Sequence, residues 1–126
     1  MIKSQFVLDI LDLLLDGENG KFLVPQLDYM FDSDYNYTRS GCFVTFTHSE
    51  DIVKYRSKED FLFDGVKIES SELDGRADAI LFMKDGIIDY LEIWSFDANY
   101  NYPSIELMTY TLIQEWNGSP QRVIKR

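Results

Sequence analysis

An α+β domain, with one N-terminal helix packed on an antiparallel sheet of about five or six strands, is the fold that three features of the sequence predict. The chain opens with a broad amphipathic stretch of helical period. Asp-Gly pairs then punctuate its middle at Asp64-Gly65, Asp74-Gly75 and Asp85-Gly86. Aromatic residues make up 15% of the chain and are mostly Phe and Tyr, rings that suit pleated, half-buried surfaces.

The opening stretch, Ile2 to Leu15, places Gln5, Asp9, Asp12 and Asp16 at steps of four, three and four, which is one narrow polar stripe. Phe6, Val7, Ile10, Leu11, Leu13, Leu14 and Leu15 fill the remaining arc, wide enough to require packing against a sheet. Gly17 is placed to end this helix as a left-handed cap. Glu18 to Lys21 reads as a polar turn, and Phe22 to Phe31 contains a short extended stretch limited by Pro25. Asp32 to Ser40, rich in turn formers, reads as a loop, and Gly41 to Thr47 as a strand.

The Asp85-Gly86 pair, flanked by long apolar runs, predicts a two-residue hairpin joining Arg76–Lys84 to Ile87–Phe96. An unbroken register from that turn sets Lys84 opposite Ile87, Ala79 opposite Glu92 and Ala77 opposite Trp94. One face then carries Ala77, Ala79, Leu81, Met83, Ile88, Tyr90, Glu92 and Trp94; the other carries Asp78, Ile80, Phe82, Leu91 and Ile93. Both faces are largely apolar, so the hairpin is expected at the centre of the sheet and covered on both sides. The small alanines leave room for a ring or a shallow pocket beside Tyr90, Glu92 and Trp94.

Phe61 to Glu69 reads as a weaker hairpin around Asp64-Gly65. Asp97 to Ser104 is a loop containing Pro103. Ile105 to Trp116 fits either helix or strand, with the Thr-interleaved pattern favouring a late strand. Ser119 to Arg126 reads as a flexible tail. With 126 residues, no linker and no repeat, the chain 1–126 forms one domain.

The formal net charge is −10 and the isoelectric point is near 4.4. Nucleic acid and anionic membrane surfaces are therefore poor partners, whereas a basic protein is a permitted one. The simpler reading of the same charge is solubility. A single cysteine, Cys42, rules out an internal disulfide and favours a reducing compartment; Asp9 and Asp12 break the apolar start as a signal peptide would not be broken. The expected location is the cytoplasm.

Candidate chemistry is sparse. Cys42 and His48 are the one Cys and the one His, too few for a structural zinc. On a single strand they would lie about 20 Å apart, beyond hydrogen-bond contact as a nucleophile–base pair. Cys42 reads as a buried structural residue. Asp32, Asp34 and Asn36 start like a calcium loop but lack its Gly and closing Glu. No phosphate-cradling glycine loop or nucleophile elbow is present, so no cofactor, no metal and no catalytic residue is expected. Glu92, set among apolar residues, is either a ligand anchor or general acid, or else a carboxylate held by Arg56, Arg76 or Lys67. The motif Tyr-Asn-Tyr occurs twice, in Asp34–Tyr37 and in Asn99–Tyr102. Tyrosine beside aspartate suits the gripping of Lys or Arg, which nominates Asp32, Asp34, Tyr35, Tyr37, Asp97, Tyr100 and Tyr102 as partner-binding residues. These tyrosines could equally cover the edges of the domain's own core.

The stretch Glu69 to Asp97 holds an alanine-rich strand (Arg76-Ala77-Asp78-Ala79-Ile80-Leu81-Phe82), a Lys84-Asp85-Gly86 turn and a Leu91-Glu92-Ile93 strand. Over that quarter of the chain it resembles small, mostly uncharacterised bacterial proteins, among which are immunity partners of polymorphic toxins. The resemblance is read as a fold signature; with the charge, the paired Tyr-Asn-Tyr motifs and the lack of catalytic equipment, the leading expectation is a non-enzymatic, immunity-type inhibitor that covers a basic toxin domain. It carries over no catalytic residue. A small-molecule binder or enzyme with a pocket around Glu92 and Trp94, and a homodimer built through a sheet edge, are the alternatives.

Overall fold

Helix α1 spans Gln5–Leu14, within the predicted range. Ser4 caps it, its Oγ accepting a hydrogen bond from the Val7 N–H at 3.1 Å, which satisfies one of the free donors of the first turn. Phe6, Val7, Ile10, Leu11, Leu13 and Leu14 are all buried. The computed structural model describes residues 1–95, 102–116 and 121–126.

The helix ends at Leu15, whose N–H bonds Leu11 O at 2.9 Å, two residues before the expected glycine cap. Gly17 is extended rather than left-handed (φ −82°, ψ 177°) and precedes a single helical turn, α2, Glu18–Lys21. Its lack of a side chain serves close approach instead: a Cβ there would stand 3.0 Å from the Trp116 ring. The extended part of Phe22 to Phe31 is confined to Met30 and Phe31, where a strand begins; Val24–Tyr29 forms a 3-10 helix, with Pro25 in its first turn, where a fixed φ and a missing N–H cost nothing.

Seven strands follow among the described residues: β1 (Met30–Tyr37), β2 (Gly41–His48), β3 (Phe63–Glu69), β4 (Ala77–Lys84), β5 (Ile87–Ser95), β6 (Thr111–Gln114) and β7 (Val123–Lys125). They make one antiparallel sheet in the order β1-β2-β5-β4-β3-β6-β7, and a second 3-10 helix, Glu50–Tyr55, links β2 toward β3. The fold is α+β, with slightly more strands than expected.

Each extra strand corrects a reading made from composition. Asp32 to Tyr37 is part of β1 and not a loop; Ser33, Asp34 and Asn36 point away from the core while Asp32, Tyr35 and Tyr37 line the inner edge, and pairing with β2 supplies the backbone partners. The Asp64-Gly65 pair does not turn a hairpin. Gly65 takes φ +93° at an irregularity inside β3, against the Trp116 indole. Of Ile105–Trp116 only Thr111–Gln114 is strand; the preceding turn is held because the Glu72 carboxylate accepts from the Met108 and Thr109 N–H groups at 2.9 and 3.0 Å. Within the tail, Val123–Lys125 pairs with β6, and the Arg126 guanidinium donates two 2.9 Å bonds to the buried carboxylate of Asp9.

The Asp85-Gly86 turn forms as expected, with positive φ at both residues (53° and 79°). The unbroken register does not. After Lys84–Ile87 and Met83–Ile88, β5 carries one extra residue, and Phe82 pairs with Tyr90. From there on Ala79 faces Ile93, Ile80 faces Glu92 and Asp78 faces Trp94. The bulge lets Ile88, Leu91 and Ile93 all turn inward beside Ala77, Ala79 and Leu81, and all six are buried. Without it, the Glu92 carboxylate would enter the core next to two alanines with no partner, a costlier outcome than one local irregularity.

Candidate interaction surface

The inner face of the sheet is packed against α1. The opposite face can be read strand by strand, because directly paired residues share a face. One row runs Asp34, Thr45, Tyr90, Phe82 across β1, β2, β5 and β4. The next runs Asn36, Phe43, Glu92, Ile80, and a third runs Gly41, Trp94, Asp78, Lys67 and on through Ile113 to Val123. At about 4.8 Å between strands, the first row alone crosses about 14 Å. None of the aromatic or charged side chains in these rows is buried, and Trp94 is 42% exposed. Among the described residues, the expected cover on both sides of the hairpin is present on one side only.

The rings on this face are fixed by one another. Phe82 stacks on Tyr90 with centroids 4.5 Å apart and 12° between planes, and Phe43 tilts against Tyr90 at 6.2 Å. Such contacts hold aromatic side chains in one orientation before any partner arrives, which lowers the entropy cost of association. Gly41 stands across from Trp94; a Cβ there would lie 1.8 Å from Ile93 O, so the strands approach at this point only with glycine. Lys67 and Asp78 form a 2.7 Å ion pair at one margin of the rows. Glu92 makes no hydrogen bond or ion pair among the described residues, and Arg56, Arg76 and Lys67 do not hold it.

The tyrosine motifs divide differently. Asp34 lies exposed on the open face, beside Thr45 and in the row of Tyr90. Asp32, Tyr35, Tyr37 and Tyr102 go to the other side. Tyr35 stacks on Tyr37 and Tyr37 on Tyr102, each pair with centroids 6.4 Å apart, and Tyr102 is buried. Burial pushes the Tyr35 and Tyr102 hydroxyls well above the ordinary phenol range. Asp32 accepts from the Lys3 and Ser4 N–H groups (2.9 and 3.2 Å) and from the Tyr35 hydroxyl (2.7 Å). Burial raises its pKa, but these hydrogen bonds prevail and hold it below the usual carboxylate value. Asp32 therefore clamps the start of α1 to β1. Asp97 and Tyr100 lie outside the described residues.

Cys42 is buried on the inner face, and burial raises its thiol to about 12, far from a reactive thiolate. His48, at the far end of the same strand, has Nε2 2.6 Å from Ile88 O. Tyr90, Glu92 and Trp94 stand on the open face rather than over the alanines, so the expected recess beside Ala77 and Ala79 is absent from that place. Phe43, Ile80 and Phe82 complete the surface; alternation in β2 and β4 was the available signal for them. Among the described residues, no helix is long and apolar enough to cross a membrane and no cluster of three potential metal ligands occurs. A scan against protein-family models matched no family, and searches of curated proteins and of solved structures returned no match.

Proposed function

We propose that the chain is a protein-binding domain of the immunity-inhibitor kind, which covers a basic surface of a toxin domain with the open face of its sheet. The observation that carries this reading is the joining of Asp34, Phe43, Phe82, Tyr90, Glu92 and Trp94 on one face that no described helix covers. Stacked aromatic rings supply rigid contact area, and carboxylates between them favour Lys and Arg on the partner. The chain's net charge of −10 would speed encounter with a basic partner and disfavour acidic ones. Among the described members of the tyrosine-motif set, Asp34 is the one on this face; the inward tyrosines lie behind it.

The test is co-expression with the protein encoded by the adjacent reading frame. A stable complex is expected, its association slowing as salt rises. Trp94→Ala should loosen it by about 30-fold or more, and Glu92→Lys should do so through charge, both with melting temperatures near that of the parent. Unchanged affinity in both variants, with the complex intact, would remove the open face as the binding surface.

A further inference from the structure

A second recess lies away from the open face, at the end of the sheet where the Asp85-Gly86 turn meets the segment after the second 3-10 helix. Its volume is about 550 Å³, within the range of about 300–1,000 Å³ that small-molecule sites occupy. Phe22, Leu23, Tyr55 and Phe61 form its apolar lining, and Arg56 and Lys58 stand on its rim. Phe22 is 77% exposed beside it, so its ring is available to a ligand.

The wall of this recess is rigid. Gln26 is fully buried and its amide is completely used: Nε2 donates to Tyr55 O (2.9 Å) and Gly86 O (3.0 Å), and Oε1 accepts from the Ile88 N–H (2.9 Å). The Ser57 N–H also bonds Gly86 O, and Asp60 accepts from the Asp85 and Gly86 N–H groups. Tyr29 stacks on Tyr55 with centroids 5.6 Å apart. The segment Tyr55–Asp60 is thus pinned at several points to the hairpin end, although it has no regular secondary structure beyond Tyr55.

The charges at the rim are unspent. Arg56 and Lys58 form no ion pair among the described residues, in a chain with 22 acidic side chains. Glu59 borders the same recess without pairing to either, and the Asp60 carboxylate faces the turn amides. Two unpaired cations above a preformed apolar floor are complementary to a small molecule with an aromatic body and an anionic head. We propose that this recess binds a small aromatic carboxylate, its ring on Phe22, Leu23, Tyr55 and Phe61 and its carboxylate between Arg56 and Lys58. This proposal is independent of the open sheet face.

The experiment is a titration of the full chain, followed by backbone amide NMR, with indole-3-acetate and 3-phenylpropionate. Their neutral counterparts, indole-3-ethanol and 3-phenylpropanol, and a short peptide ending in Phe with a free carboxylate form the other arms. Saturable shifts at Leu23, Arg56, Ser57, Lys58 and Phe61 are expected below about 5 mM for the two acids, with the neutral compounds at least about tenfold weaker. The double variant Arg56→Gln, Lys58→Gln should weaken acid binding by about tenfold to a hundredfold, and Phe22→Ala by about tenfold, while the amide spectrum elsewhere stays that of the parent. Absence of saturable shifts at these residues overturns the proposal. So does equal binding of acid and alcohol, insensitivity to the double variant, or a peptide that binds more tightly than the free acids.

Discussion

The two faces of the β4–β5 hairpin are made from alternate residues of the same eighteen-residue stretch, yet they obey different rules. Inward, Ala77, Ala79, Leu81, Ile88, Leu91 and Ile93 are aliphatic and at most 2% exposed. Outward, Asp78, Ile80, Phe82, Tyr90, Glu92 and Trp94 mix charge with large rings and remain in contact with solvent. The inner face is chosen by packing density and the outer by what can stay partly wet. The extra residue in β5 is what keeps the two sets apart on both sides of Tyr90.

The sharpest way to break that contrast is to shorten one side chain on each face. Leu91→Ala removes a fully buried side chain paired with Leu81 and Val44. A loss of about 2–5 kcal/mol is expected, because the surrounding aliphatic groups cannot all collapse into the cavity. Ile80→Ala on the outer face should cost under about 1 kcal/mol. Urea denaturation of both variants measures the difference; equal losses would mean that the outer face is covered and that its description as open is wrong.

A second contrast concerns carboxylates. Asp9 on α1 is buried, and accepts from Nε and Nη2 of Arg126, from the Tyr110 hydroxyl at 2.8 Å and from Gln5 at 2.9 Å. Burial pushes its pKa up, but the hydrogen bonds from Arg126, Tyr110 and Gln5, with the Arg126 charge, outweigh it and hold the group below its usual 3.8. A depressed carboxylate stabilises the fold fully above its unfolded pKa, and that stability disappears as pH falls through the folded value. Stability should therefore decline on acidification below about pH 4. Asp9→Asn is expected to cost about 2 kcal/mol at pH 7, less than a fully buried pair because Arg126 is half exposed, and to flatten the acid limb of the curve. An unchanged acid limb in this variant would place the pH dependence elsewhere, with Asp16 and Asp32 next, since both are also held low.

These contrasts show which parts of the structure local sequence could carry. The helix was legible because its period needs no partner: the stripe of Gln5, Asp9 and Asp12 defines the face that meets water or a specific donor. The Asp85-Gly86 turn was legible because positive φ at two successive residues is a local demand. The readings that failed were ones decided by a neighbour in space. Asp32–Tyr37 has turn-forming composition, and becomes a strand only because β2 lies beside it. Gly65 has hairpin chemistry, but the Trp116 ring occupies the place of a side chain there. The β5 bulge was hidden for a related reason. Strict alternation from the turn is the default, and only the cost of burying Glu92 argues against it. That argument was available in the sequence, in the charge of one residue. For the proposed surface, the sequence placed Asp34 and the Tyr90–Trp94 set in separate candidate groups, and strand order alone unites them.

The smallest expected effect tests the same comparison from the outer side. Glu92 is half-buried between Phe43 and Ile80, its cross-strand neighbours, with no hydrogen bond or ion pair among the described residues. A carboxylate in that setting contributes no pairing energy to the fold, and its partial desolvation is a cost. Glu92→Gln keeps the shape and removes the charge, so stability should change by no more than about 0.5 kcal/mol, in the stabilising direction if at all. Asp9→Asn is the same kind of isosteric change on the inner side, where four donors point at the carboxylate. Thermal denaturation of the two variants side by side at pH 7 measures the gap. If Glu92→Gln destabilises as much as Asp9→Asn does, Glu92 has a structural partner, and the acidic character of the open face belongs to folding rather than to recognition. If the gap is as expected, the charge at Glu92 is maintained against a small energetic cost, which is the condition a recognition residue has to meet.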